Sequence, residues 1–184
     1  MRKPWSLVGA LVVVVATVWS ALPAAAVEAP DGVLPGSGRQ SAFHRSQSSG
    51  AEIGRLVIPA IGVDETIRSG VSLEVIDLGV AHWVGTSAPG GPGNAVLAGH
   101  RTTRTAPFLD LDRLRPGDLI TVERLDGPPA LYRVSDTFIV EPEDVWITYE
   151  FGRPMLTMFA CHPKGSARFR IVVQADLIAG GRIV

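Results

Sequence analysis

Met155-Leu156-Thr157-Met158-Phe159-Ala160-Cys161 is an apolar run ending on the only cysteine of the chain. Turn-forming residues follow, His162-Pro163-Lys164-Gly165-Ser166, and then a second run rich in β-branched and aromatic residues, Arg168-Phe169-Arg170-Ile171-Val172-Val173. Two such runs around a short Pro/Gly/Ser segment read as a β-hairpin. Across an antiparallel pair, opposed residues share a face with their Cβ atoms about 5 Å apart. The hairpin therefore sets an arginine beside the Cys161 thiol at the end of the sheet. Arg170 and Arg168 share the required alternation, and the residues alone leave both open.

Working outward, the rest of the chain repeats this pattern of short strands and turns. Strands are expected at 55–58, 65–68, 81–84, 95–100, 119–123, 131–140, 155–161 and 168–177, with helical turns near 73–79 and 142–147. Turn-rich runs separate them, notably Ser87-Ala88-Pro89-Gly90-Gly91-Pro92-Gly93-Asn94 and Arg115-Pro116-Gly117-Asp118. Seven or eight short strands without a long amphipathic helix predict an all-β sandwich or barrel. No solenoid period is present. The glycines between Gly85 and Gly93 serve turns and form no phosphate loop.

Ahead of this domain, Arg2 and Lys3 precede an uncharged stretch from Trp5 to Val27. As a helix it would be about 34 Å long at 1.5 Å per residue, against a bilayer core of about 30 Å. The basic start would stay cytoplasmic and the remainder would lie outside. Pro23-Ala24-Ala25-Ala26 also resembles a signal-peptide cleavage site, so anchor and cleaved signal both fit. Residues 28–51 are rich in Gly, Pro and Ser and read as a linker spanning roughly 25–30 Å. The expected organisation is thus 1–27 anchor or signal segment, 28–51 flexible linker, 52–184 folded domain.

The net charge of −1 and the absence of a Lys/Arg stripe argue against nucleic acid as a partner. Export gives the single cysteine meaning, because an exported chain with one thiol cannot use it for an internal disulfide. A lone cysteine is more often a buried packing residue, so the neighbouring chemistry has to make the case. The arginine across the hairpin can favour the nucleophilic thiolate and donate to an oxyanion. His100, at the end of Ala95-Val96-Leu97-Ala98-Gly99-His100, can exchange protons with the thiol and the leaving amine. Small Ala98 and Gly99 allow another segment to approach closely there. His162 adjoins Cys161 but points to the opposite strand face, which makes it the second-choice base. His82 is expected to pack or hydrogen-bond, and His44 lies in the linker. Trp146 and Tyr149 serve either as walls of a peptide groove or as packing. Asp110-Leu111-Asp112 and Glu141-Pro142-Glu143-Asp144 lack EF-hand spacing, so no metal is expected at either, and no cofactor is expected.

The segment Thr157-Met158-Phe159-Ala160-Cys161 resembles the Thr-Leu-x-Thr-Cys signature of sortases, the cysteine transpeptidases of Gram-positive bacteria. The run from Cys161 to Arg170 resembles that of class E and related actinobacterial sortases. So do Gly93-Asn94-Ala95-Val96-Leu97-Ala98-Gly99-His100-Arg101, Leu56-Val57-Ile58-Pro59-Ala60-Ile61-Gly62 and the turn at Arg115 to Asp118. The resemblance covers about residues 52–178. It implies a closed eight-stranded β-barrel and a catalytic set of Cys161, His100 and Arg170, Arg168 being set aside. It also implies a thioester with a sorting-signal peptide of the Leu-Pro-x-Thr-Gly or Leu-Ala-x-Thr-Gly type, cut after Thr. The acyl group then passes to a cell-wall precursor or pilin amine. The resemblance favours an uncleaved anchor and a single-pass membrane location. Ala160 departs from the pattern, since it lacks the hydroxyl of the usual Thr. A cysteine hydrolase using water, and a non-catalytic barrel that binds cell-wall peptides, are the competing readings.

Overall fold

The computed structural model describes residues 50–180, so the anchor segment 1–27 and nearly all of the linker lie outside the described residues. Gly50 and Ala51 already belong to the folded domain, exchanging backbone hydrogen bonds with Ser69 at 2.9 and 2.8 Å. Among the described residues no helix is long and apolar enough to cross a membrane.

Eight strands appear: β1 (Glu52–Ile58), β2 (Val63–Ser69), β3 (Val80–His82), β4 (Asn94–Ala98), β5 (Leu119–Arg124), β6 (Ala130–Val140), β7 (Met155–His162) and β8 (Phe169–Ala179). One helical turn, α1 (Leu73–Ile76), joins β2 to β3. Short 3-10 turns lie at Pro59–Ile61, Leu111–Arg113 and Val145–Thr148. The strands close into a barrel in the order β1-β2-β3-β4-β7-β8-β6-β5. Of the two architectures left open by the strand pattern, the barrel is the one formed. Closure removes the exposed edges that an open sheet would present.

Most neighbours are antiparallel, but β2 pairs with β3 and β4 with β7 in parallel. Parallel neighbours need a crossover rather than a tight turn. The first uses α1, and the second is the long excursion through β5 and β6. The parallel β4–β7 pair runs from Asn94 opposite Met155 to Ala98 opposite Phe159.

Strand alternation fills the interior with Leu56, Ile58, Ala95, Leu97, Leu156, Met158, Ala160, Ile171 and Val173, among others. A second apolar cluster lies on the outer face of β6, β7 and β8, where Val140, Ile147 and Val172 pack with Phe138 and Phe159. The β6–β7 connection supplies Ile147 and roofs that face. Strand β7 is thus covered on both sides, which explains its unbroken apolar run. A buried hydrogen-bond knot holds the roof. Asn94 Nδ2 donates to the carbonyls of Ile147 and Tyr149, both at 3.0 Å, while Asn94 Oδ1 accepts from Thr157 Oγ1 at 2.8 Å. All the polar atoms of the Asn94 side chain are used, as burial requires.

Several boundaries moved from the sequence expectation. The strand expected at 95–100 stops at Ala98. Gly99 makes one more backbone bond, to the Phe159 carbonyl at 3.3 Å, and the chain then bends. The close approach expected at Ala98-Gly99 is real, because a Cβ on Gly99 would sit 2.8 Å from the Phe108 ring. The helical turn expected at 142–147 forms three residues later, at Val145–Thr148. Strand β8 begins at Phe169, leaving Arg168 outside it.

Candidate active site

The hairpin forms as read, and its register places Cys161 directly opposite Arg170. Arg168 lies beyond the ladder with its guanidinium 5.0 Å over the Phe169 ring, which removes it from the thiol's neighbourhood. Arg170 Nη1 donates to the carbonyls of Ala167 at 2.8 Å and Phe169 at 3.0 Å. These bonds orient the guanidinium by the turn that follows Cys161.

His100 arrives from a different strand. Along β4–β7 the last paired residues are Ala98 and Phe159. Continuing that register sets position 100 opposite 161, on the outer face of the barrel. His100, Cys161 and Arg170 line one cavity of about 230 Å³ together with Trp83, Phe159 and the α1 residues Leu73 and Ile76. A smaller pocket shares Trp83, Phe159 and Arg170 and runs under the β6–β7 connection, past Val145, Ile147, Glu141 and Asp144. The two together make a groove over the outer face of β7, with an apolar floor and an acidic rim. The Trp83 and Phe159 rings meet at 5.9 Å in its wall.

The His100 imidazole is pinned. Its Nε2 lies 2.8 Å from Asp77 Oδ1, and Asp77 Oδ2 is 3.0 Å from Arg104 Nη2. A carboxylate only accepts, so the proton of a neutral His100 sits on Nε2 and Nδ1 carries the lone pair. The His100 hydrogen bond, aided by Arg104, holds the Asp77 carboxyl below its ordinary value against the desolvation that would raise it. Asp77 caps the C-terminal end of α1, so the small helix orients the histidine across the groove. Nothing in the sequence singled out Asp77. Its only signal was a carboxylate next to a helical turn, and the contact with a residue 23 positions away is tertiary.

The other sequence candidates are placed elsewhere. His162 Nδ1 meets Arg101 Nη1 at 2.7 Å, on the interior face of β7. Trp146 stacks on Phe138 at 5.7 Å and lines neither pocket, so it packs. Tyr149 contributes its carbonyl to the Asn94 knot, while its ring is exposed. Asp110 is taken up by Lys164 at 2.7 Å and Asp112 by Arg101 at 2.9 Å, so both carboxylates act as ion-pair partners. Ala160 borders the groove, yet its side chain is buried in the barrel core opposite Ile171. Its departure from the expected Thr therefore bears first on interior packing.

His82 is buried beside Leu97 in register, about 10 Å along the barrel from Cys161 at strand spacing. Its Nε2 lies 2.9 Å from the Ser87 carbonyl oxygen, to which it donates. Burial pushes its pKa below the ordinary histidine value. A depressed histidine pKa means that protons bind more readily to the unfolded chain. The resulting stability is present above about pH 6.5 and is lost as pH falls below it. Melting temperature should therefore drop more between pH 7.5 and 5.5 in the native chain than in His82→Gln, which keeps a donor for Ser87. Equal drops would remove His82 as the cause.

With this geometry in place, the comparisons with known proteins are specific. A sequence model of the sortase domain matches residues 56–178. Sortase SrtE1 of Streptomyces coelicolor is 29 % identical over 138 residues, covering 67 % of this chain and 39 % of that protein. Sortase SrtE2 of the same organism is 30 % identical over 147 residues, covering 70 % and 56 % respectively. The chain therefore spans less than two thirds of the length of either relative. The crystal structure of sortase E1 from Streptomyces coelicolor, with a tripeptide in its active site, superposes with a TM-score of 0.66. It is 25 % identical, with 72 % of this chain and 91 % of that one covered. A closed eight-stranded barrel, a cysteine paired across a hairpin with an arginine, and a sortase match over residues 56–178 agree: the chain belongs to the sortase family.

Proposed function

We propose that the chain is a transpeptidase working outside the cytoplasmic membrane, tethered by residues 1–27 through the 28–51 linker. Its substrate is a sorting-signal peptide of the Leu-Pro-x-Thr-Gly or Leu-Ala-x-Thr-Gly kind. The observation that carries this reading is the groove on which Cys161, His100 and Arg170 converge from β7, the end of β4 and β8.

In the first half-reaction the Cys161 thiolate attacks the Thr carbonyl carbon. Negative charge gathers on the carbonyl oxygen, and Arg170 is the donor placed to hold it. The bonds of Arg170 to Ala167 and Phe169 both use Nη1, which leaves Nε and Nη2 for the oxyanion. The C–N bond breaks as His100 passes to the leaving amine the proton that Nδ1 took from the Cys161 thiol, and a thioester remains on Cys161. In the second half-reaction a cell-wall or pilin amine attacks the thioester, His100 takes the amine proton, and the thiolate leaves. Asp77 holds the Nε2–H and the ring orientation through both steps, leaving Nδ1 to carry the moving proton. The apolar wall of Trp83, Phe159, Val145 and Ile147 suits the apolar residues that open such a signal, and it lowers the dielectric around the reacting atoms. The chemistry needs no cofactor.

The test is mass spectrometry of the chain mixed with a small library of pentapeptide signals. The expected product is a thioester on Cys161, cleaved by hydroxylamine and carrying the peptide up to Thr. Added amine should then divert it from hydrolysis. Partition to water at every amine concentration would make the protein a hydrolase. Peptide binding without any adduct would make it a non-catalytic binder.

A further inference from the structure

Beyond the three residues of the reaction, we propose that Arg101 and His162 form a side-chain tie that holds His100 opposite Cys161, making Arg101 a positioning residue for the nucleophile. The inference rests on the roles of Cys161 and His100 given above.

The backbone ladder between β4 and β7 ends at Ala98 and Phe159, with one last bond from Gly99. His100 and Cys161 lie two residues past that pair, where no backbone bond links the two segments. Continued register puts position 101 opposite 162, and there the segments are joined again, by Arg101 Nη1 and His162 Nδ1 at 2.7 Å. Alternation explains why one tie serves the other pair. Interior positions 95 and 156, 97 and 158 oppose each other, and 101 and 162 continue that row. His100 and Cys161 belong to the outer row. Fixing the interior pair fixes the outer pair one residue back.

The arginine is anchored as a strut must be. Its side chain is only 1 % exposed. Nε donates to the Leu109 carbonyl at 3.2 Å and Nη1 reaches His162, while Nη2 faces Asp112 Oδ1 at 2.9 Å as an ion pair without hydrogen-bond geometry. One planar fork thus joins the 3-10 turn at Leu111–Arg113 to the nucleophile strand. Lys164 repeats the link on the surface, 2.7 Å from Asp110. Burying a guanidinium is expensive unless it is paired, and this one faces a carboxylate, a carbonyl and an imidazole. Arginine has no acceptor, so Nδ1 of His162 must be the lone-pair nitrogen. That use as an acceptor is incompatible with the same atom exchanging protons with substrate.

Three variants of the full chain test the tie. His162→Leu deletes the acceptor. His162→Asn restores one, its Oδ1 standing where Nδ1 was. Arg101→Lys keeps the buried charge but has no fork to span three partners. Each is read by thioester formation, by the pH profile of Cys161 alkylation with iodoacetamide, and by thermal melting. His162→Leu and Arg101→Lys should melt as folded proteins while kcat for acylation falls about 10- to 100-fold with KM nearly unchanged. Their alkylation profiles should move together. His162→Asn should recover most of kcat and the native profile. Native kcat in a folded His162→Leu overturns the proposal. So does a His162→Asn variant as inactive as one lacking His100, which would make His162 the proton carrier. Alkylation needs no peptide, so it reports on the tie even where the sorting-signal reading fails. An unchanged profile in both tie-breaking variants then counts against it.

Discussion

Cys161→Ala should leave a folded barrel that forms no acyl adduct with any peptide. The chain has no second thiol, so no neighbour can take over the nucleophile. Covalent catalysis loses essentially all of its rate with the nucleophile, about 10⁴-fold or more, down to whatever the oxyanion donor and binding still supply. The fold should not follow. Cys161 is only half-buried at the end of β7, on the outer face, and its backbone remains laddered to β8. Removing one sulfur from such a position costs about 1 kcal/mol or less, within the range of ordinary surface changes. Melting temperature and circular dichroism should therefore stay near native while the adduct disappears from the mass spectrum. An adduct of unchanged yield in Cys161→Ala would end the covalent mechanism.

The same residue marks how far one sequence can be read. An arginine opposite Cys161 was legible because both belong to one hairpin, but the residues alone left Arg168 and Arg170 open, and Arg170 was chosen on the resemblance to sortases; the ladder pairs Cys161 with Arg170. The barrel itself was legible only as a count of short strands, compatible with a sandwich. Choosing between them needed the closure of β1 on β5, a pairing set by packing and invisible in either strand alone. His100 was identified by its chemistry, whereas its place beside Cys161 depends on parallel β4–β7 pairing across the whole β5–β6 excursion. Arg101 and Asp77 were hidden more deeply. Charged residues are read as solvated by default, and nothing local shows that Arg101 is enclosed or that Asp77 reaches a histidine. Asn94 and Thr157 look like ordinary strand and turn residues. Their hydrogen bonds to each other and to the roof exist only because β4 and β7 are neighbours.

His100→Ala should lower acyl transfer by about 10²- to 10⁴-fold, the usual worth of a positioned proton carrier. The loss should fall on kcat, because the apolar wall that grips the peptide is untouched. The remaining described histidines cannot substitute: His82 is buried at another level of the barrel, and His162 has its Nδ1 committed to Arg101. Added imidazole should restore part of the rate, since the truncation opens a space beside Asp77 large enough for the ring. The substitution also acts on Asp77, whose carboxyl is held down first by the His100 hydrogen bond. A depressed carboxyl pKa stabilises the fold above the unfolded value, about 3.9, and that contribution fades as pH falls through the folded value. Losing His100 removes the largest cause of the depression, so the acid limb tied to Asp77 should span a narrower range, ending at higher pH, and lose less stability than in the native chain. Arg104 still faces Asp77 at 3.0 Å and keeps the change partial. The two readouts separate the roles of the imidazole: the rate reports proton transfer to the leaving amine, and the acid limb reports the grip of Asp77. A variant with native kcat but a shifted acid limb would leave His100 as a structural partner of α1 and assign the proton transfer elsewhere.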